Sequence, residues 1–233
     1  MTNMYADAKT WSPFVGCEFD CVYCRPSFQA QAKRQRKNCE RCYDYTPHYH
    51  PERLSRIPSA EIVFCCASGD ISFCDGRALA DILVAVTQHA ARRAAQMKPP
   101  VTYYWQSKDP QVLSRIAPHV PQSSTLVTTL ETNRNEGYDD ISKAPPPTER
   151  WDSFCRIDYP RKVLTLEPLL AFDAEDLAAM VVAARPEYVW IGLNSKPKQV
   201  QLPEPSPDDI RELLRLFGKS GIEVRRKDLR GLK

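Results

Sequence analysis

The sequence predicts an α/β fold: a parallel (β/α) barrel, or part of one, built from six units in series. Three observations carry this. Six short segments rich in β-branched and aromatic residues recur along the chain, mostly as continuous apolar runs. A strand reads this way, rather than alternating, when both its faces are buried, as in a parallel sheet. Helical patterns fall between the runs, and strands linked by helices build parallel sheets. Finally, nearly every run ends in polar side chains, and barrels of this kind carry their chemistry where the strands end.

The strand segments are 12–16, 61–67, 101–107, 125–131, 162–168 and 187–194, with the more polar 222–227 as a seventh. The first long helix, 77–97, is rich in Ala and Leu and is followed by Pro99 and Pro100, which stop a helix. The next, 109–117, carries Pro110 near its first position, where a missing N–H costs nothing. Segment 174–184 follows Asp173 as an N-cap. Segment 206–221 opens with Ser206 as N-cap and Pro207 in the first turn, and stops at Gly221. Its Ile210, Leu213, Leu214 and Phe217 share one face. SKAPPP at 142–147 reads as a rigid loop, because consecutive prolines cannot continue a helix. The whole of 1–233 reads as a single core domain, with an insert at about 25–60.

Hydrophobic residues make up 42 % of the chain and charged ones 26 %, which excludes wholesale disorder and low-complexity repeats. No apolar run approaches the roughly 18–20 residues of a membrane span, and the N-terminus lacks the apolar stretch of a secretory signal. These features predict a cytoplasmic protein with no membrane partner. In that compartment nine cysteines point to metal binding or catalysis rather than to disulfides.

Three of them read Cys17-x3-Cys21-x2-Cys24. Thiolates are soft ligands, and three so closely spaced can converge on one cluster from a single loop. A [4Fe–4S] cluster held by three thiolates keeps one iron free for another ligand. A structural zinc knuckle, or plain buried thiols, is the alternative.

The spacing, with aromatic Tyr23 before the third cysteine, resembles the radical S-adenosylmethionine (radical SAM) superfamily. Within it the chain looks like a small, partly phage-encoded branch with no assigned reaction. The stretches that carry this are 11–29, 42–54, 66–73, 128–134, 141–147, 164–173 and 191–196. The resemblance implies a partial (β/α)6 parallel barrel that takes up nearly the whole chain. It implies Cys17, Cys21 and Cys24 as ligands of a [4Fe–4S] cluster whose open iron binds S-adenosylmethionine, with Tyr23 near the adenine. One-electron reduction, by a partner such as flavodoxin or ferredoxin, then yields a 5′-deoxyadenosyl radical that abstracts hydrogen from a substrate. ASGD at 67–70 resembles the Gly-Gly-Glu-type segment that binds the cofactor's amino group, with Ser68 for the first glycine, Gly69 kept and Asp70 for the glutamate. Thr129, Glu131 and Asn133 fit the ribose role, and Glu167 either that role or a substrate contact.

The insert holds a second pattern, Cys39-x2-Cys42-x5-His48-x-His50. Two thiolates and two imidazoles suit tetrahedral zinc, and His-x-His puts both rings on one side if the segment is extended. Another structural metal, a second iron–sulfur cluster, or free thiols beside surface histidines are the other readings. Cys65, Cys66, Cys74 and Cys155 read as ordinary buried thiols. The insert is also basic: residues 25–57 hold eight Lys/Arg against three acids, and 211–233 repeat that balance. Together they carry 16 of the 32 basic residues and 6 of the 29 acidic ones, so the remainder is net acidic. With Tyr43, Tyr45 and Tyr49 interleaved, a nucleic-acid substrate is one reading, and a solvated face or an acidic reductase the other. Two functions follow: a radical SAM enzyme, or a non-catalytic metal-binding module that contacts nucleic acid.

Overall fold

The computed structural model describes residues 7–227 and 229–232. Residues 1–6, together with Asp228 and Lys233 of the basic C-terminal segment, lie outside the described residues. In chain order the strands are β1 (Ala8–Trp11), β2 (Phe14–Val15), β3 (His48–Tyr49), β4 (Ile62–Cys65), β5 (Thr102–Gln106), β6 (Thr125–Thr129), β7 (Lys162–Leu166), β8 (Tyr188–Ile191) and β9 (Val224–Arg226). The helices are α1 (Ala30–Ala32), α2 (Glu40–Tyr43), α3 (Gly76–Ala95), α4 (Pro110–Ile116), α5 (Pro147–Cys155), α6 (Ala174–Ala184) and α7 (Pro207–Lys219).

Seven strands form one sheet in the order β1-β4-β5-β6-β7-β8-β9, every neighbouring pair parallel. It is a curled half-barrel, open between β1 and β9, and it matches the predicted α/β partial barrel. The continuous apolar runs have the expected cause. Leu126, Leu164, Leu166, Val189 and Ile191 pack into the large core cluster. Val127, Val163 and Tyr188, their alternates in sequence, form a second cluster. Successive side chains leave a strand on opposite faces, so β6 and β7 are buried along their whole length.

The helix starts follow local chemistry. Asp75 accepts from the Ala78 amide at 2.9 Å to cap α3, and Asp109 accepts from Gln111 at 3.0 Å to cap α4. Ser206 and Asp209 form a capping box on α7. Asp173 occupies the N-cap of α6, but its carboxylate pairs with Arg134 instead.

The chain departs from the predicted elements in two places. The sheet begins at Ala8–Trp11, not in 12–16. This edge strand buries only Trp11, so it leaves no apolar run to read. After Pro13 the chain turns out of the sheet, and β2 pairs antiparallel with β3, Phe14 opposite Tyr49 and Val15 opposite His48. The second departure is α5, which begins at the third of the three prolines, with Pro147 in its first turn. Among the described residues no helix is long and apolar enough to cross a membrane.

Candidate functional site

Cys17, Cys21 and Cys24 lie in the loop after β2, and Cys24 ends a single 3-10 turn. The loop is pinned from three sides at the carboxyl ends of the strands. Gly16 and Gly69 meet as an isolated parallel bridge: the Gly16 amide donates to the Ser68 carbonyl and the Asp70 amide to the Gly16 carbonyl, both at 3.1 Å. The Val22 amide donates to Ile141 at 2.9 Å and the Lys143 amide to Phe19 at 2.7 Å. The Cys17 amide donates to the Tyr45 carbonyl at 3.4 Å. Glycine is required at both bridge positions. A Cβ on Gly69 would stand 2.5 Å from the Gly16 carbonyl oxygen. Gly16 adopts φ +99°, and a Cβ there would stand 2.4 Å from the Thr46 carbonyl carbon. Ser68 anchors this seam through Ser12, whose hydroxyl accepts from the Ser68 amide at 3.1 Å.

The three thiols share one buried pocket with Phe19, Tyr138, Ala144 and Leu170. Cys24 donates to Cys21, and the Lys108 ammonium stands 3.2 Å from the Cys21 sulfur. These contacts, the Cys24 bond foremost, hold the Cys21 thiol below its ordinary value. Burial pushes Cys17 up, and the bond to Cys21 together with burial pushes Cys24 up. Ser142 Oγ adds a contact to Cys21 at 3.1 Å. Three thiols of one loop in one cluster, with a cation beside one of them, are a donor set that suits an iron–sulfur cluster and leaves one position open.

Lys108 reaches this pocket from the end of β5. Its ammonium also donates to Tyr23 Oη and, at 2.5 Å, to Glu131 Oε1, and it lies 4.6 Å from the centre of the Tyr23 ring. Glu131, just past the end of β6, is fully buried. Oε1 also accepts from Tyr23 at 2.5 Å and Tyr138 at 3.0 Å, and Oε2 accepts from Arg150 at 2.7 Å. Burial alone would raise the Glu131 carboxyl, but Arg150 and Lys108 hold it down to about 2. Asp70 belongs to the same assembly through the backbone. It accepts from Ser107 Oγ at 2.6 Å, from the Lys108 amide at 2.9 Å, and from Ser72. Burial raises its carboxyl against these bonds.

Of the predicted cofactor contacts, Tyr23, Ser68, Gly69, Asp70 and Glu131 gather around the cysteine loop. Thr129 is buried two residues before Glu131, its hydroxyl accepting from Gln106 at 3.0 Å and Thr165 at 2.9 Å. Asn133 turns to Asp173, whose amide it accepts at 2.9 Å, and Glu167 pairs with Lys227. The sequence did not single out Arg150, Tyr138 or Ser142. Arg150 sits in α5, the unpredicted helix, and no local pattern marks a cation whose carboxylate lies nineteen residues away.

The second set converges as well. The ligand atoms of Cys39, Cys42, His48 and His50 all lie within 4.8 Å of one another. His48 Nε2 is 3.4 Å from the Cys39 sulfur and 3.3 Å from that of Cys42, and His50 Nε2 is 3.2 Å from Cys42. Both Nδ1 atoms point away, to the Thr46 carbonyl at 2.7 Å and to Glu52 Oε1 at 2.8 Å. Fixing one ring nitrogen so that the other faces the ion is how metal-ligating histidines are held. Burial lowers both imidazoles, which favours the neutral form that ligation requires. His48 lies in β3 and His50 directly follows it.

No family model matches the chain, and no curated protein is similar to it. Among solved structures it is similar to the crystal structure of a radical SAM methyltransferase from Sphaerobacter thermophilus, with a TM-score of 0.57 over 98 % of this chain and 69 % of that one. The two are 16 % identical, so the likeness is one of fold.

Proposed function

We propose that the chain is a radical SAM enzyme, its single core domain binding a [4Fe–4S] cluster through Cys17, Cys21 and Cys24. The observation that carries this reading is that three thiols of one loop lie in one cluster at the carboxyl edge of a parallel half-barrel, with the Lys108 ammonium against the Cys21 sulfur. The similar fold of a radical SAM methyltransferase and the resemblance to a partly phage-encoded branch support it. When bound, the cluster and S-adenosylmethionine supply a 5′-deoxyadenosyl radical that takes a hydrogen atom from substrate. The chain's residues prepare the place. Phe19, Tyr138 and Leu170 keep water from the thiols. Lys108 offsets their negative charge, and Glu131 fixes Lys108 and Tyr23. Ser68, Gly69 and Asp70 border the cofactor, Thr129, Glu131 and Asn133 are the ribose contacts, and Glu167 is a ribose or a substrate contact. Glu131 has both oxygens engaged, so it contacts a ribose only by exchanging a partner.

Cys39, Cys42, His48 and His50 form a second, structural zinc site, because four protein ligands close the tetrahedron. A reducing cytoplasm, with a flavodoxin or ferredoxin as donor, suits both thiol sets. Nucleic acid is the proposed substrate class, from the basic insert beside the cysteine loop.

The test is anaerobic reconstitution with iron and sulfide, then dithionite and S-adenosylmethionine. The expected product is 5′-deoxyadenosine, absent in Cys24→Ala. A protein that assembles no cluster, or a Cys24→Ala variant that still makes the product, overturns the reading. A Cys39/Cys42 double variant with unchanged zinc content overturns the second site.

A further inference from the structure

We propose that the ion bound by Cys39, Cys42, His48 and His50 is the template on which the Cys17–Cys24 loop takes its shape, so that iron uptake by that loop depends on the second metal. The proposal rests on reading both thiol sets as metal sites, and adds a dependence of one on the other.

The insert has almost no core of its own. Across 25–60, the buried residues among those described are Cys42, His48 and His50, three of the four ligands. Its regular structure is one short helical run of uneven pitch over 25–35, a four-residue helix, a two-residue strand and a single 3-10 turn over 51–53. Elements so short do not persist alone in water. Two imidazoles and a thiol at the centre are polar groups whose burial an ion offsets. The metal therefore takes the place of a hydrophobic core.

The same ligands are joined to the cysteine loop. His48 is the register partner of Val15, two residues before Cys17. The His50 amide donates to the Pro13 carbonyl at 2.6 Å. Between Cys42 and His48 the chain makes a tight turn, in which the Tyr45 amide donates to Cys42 at 3.2 Å and the Thr46 amide to Arg41 at 3.0 Å. The turn holds Tyr45 at φ +59°, a conformation costly for a bulky side chain and kept only where the surroundings enforce it. It carries the Tyr45 carbonyl to the Cys17 amide. It also carries the Thr46–Pro47 peptide onto Gly16, at a separation that leaves no room for a Cβ. The Tyr45 phenol lies half-buried against the same loop, with Cys17, Cys24, Asp70 and Cys21 as its neighbours. One wall of the thiol pocket is thus the outer surface of the metal-bound turn.

The experiment measures zinc, iron and sulfide per chain after anaerobic reconstitution, for the wild type, Cys39→Ser/His50→Ala, and Gly16→Ala. The double variant removes two ligands and touches none of the three cysteines. The expected result is that it loses zinc and that its iron uptake falls at least about tenfold, as when the outer support of a metal site is removed. Gly16→Ala keeps all four zinc ligands but forces the turn off the loop, so zinc should stay and iron should fall. A zinc-free double variant that fills with iron and sulfide as the wild type does overturns the proposal and leaves both metal sites standing. If the double variant does not fold, Gly16→Ala decides: zinc retained with undiminished iron uptake overturns it. A wild type that binds no zinc refutes the second site instead, and one that binds zinc but no cluster refutes the radical SAM reading.

Discussion

At the scale of residues, Glu131 is the charge on which the site turns. It is fully buried, and its two oxygens take Lys108, Tyr23, Tyr138 and Arg150. Replacing it with Gln leaves two buried cations without a counter-charge, and breaking a buried pair in this way costs about 3–5 kcal/mol. An exposed pair such as Arg156–Asp152 is worth less than about 1 kcal/mol. The effect has a pH signature. The folded Glu131 carboxyl is held at about 2, below its ordinary 4.5. A depressed acid stabilises the fold above its ordinary value, and that stabilisation is lost as pH falls toward the folded one. Urea midpoints of the wild type and Glu131→Gln should therefore differ most at pH 7 and converge between about pH 5 and pH 2. A gap that stays constant across that range would refute this role.

At the scale of elements, side chains at the start and on the inner face of a helix separate two kinds of stabilisation. Ser206 caps α7 through the Asp209 amide at 3.1 Å, and Phe217 lies fully buried on its inner face. Ser206→Ala should cost about 1 kcal/mol and Phe217→Ala about 3–5 kcal/mol, measured as shifts in the urea midpoint with an unchanged slope. Equal losses would mean that α7 is not held by its core face. What the sequence made legible follows the same physics. The strands β4, β6, β7 and β8 show as apolar runs because both faces are largely covered, and α7 shows because its cap and stripe are local. β1 was hidden because an edge strand has little to bury, and Phe14–Val15 was misplaced because its apolar pair serves a ribbon rather than the sheet. The grouping of Cys39, Cys42, His48 and His50 was readable from spacing. The Glu131 network was not, since its partners come from the loop after β2, the end of β5 and α5, and only the closed fold brings them together.

At the scale of the whole molecule, charge and topology meet at the opening of the half-barrel. The sheet ends in β1 on one side and β9 on the other. The basic insert follows β1, and the basic C-terminal segment contains β9. Their cations differ in availability. In the C-terminal segment Arg211, Arg215, Arg225, Lys227 and Arg230 each pair with an acid. In the insert Lys33, Arg34, Arg36, Lys37 and Arg41 are exposed, and none forms an ion pair among the described residues. Phosphate binding should therefore run through the insert. Substituting those five by Gln should weaken binding to a single-stranded polynucleotide. It should also flatten the dependence of log Kobs on log salt by about 0.7 for each phosphate no longer neutralised, or about 3.5 if all five cations contact one. The same substitutions leave Cys39, Cys42, His48 and His50 intact, so zinc content serves as the check that the insert still folds. Unchanged affinity and slope with zinc retained would remove nucleic acid as the substrate class and leave the exposed cations to an acidic protein partner, with flavodoxin binding as the next measurement.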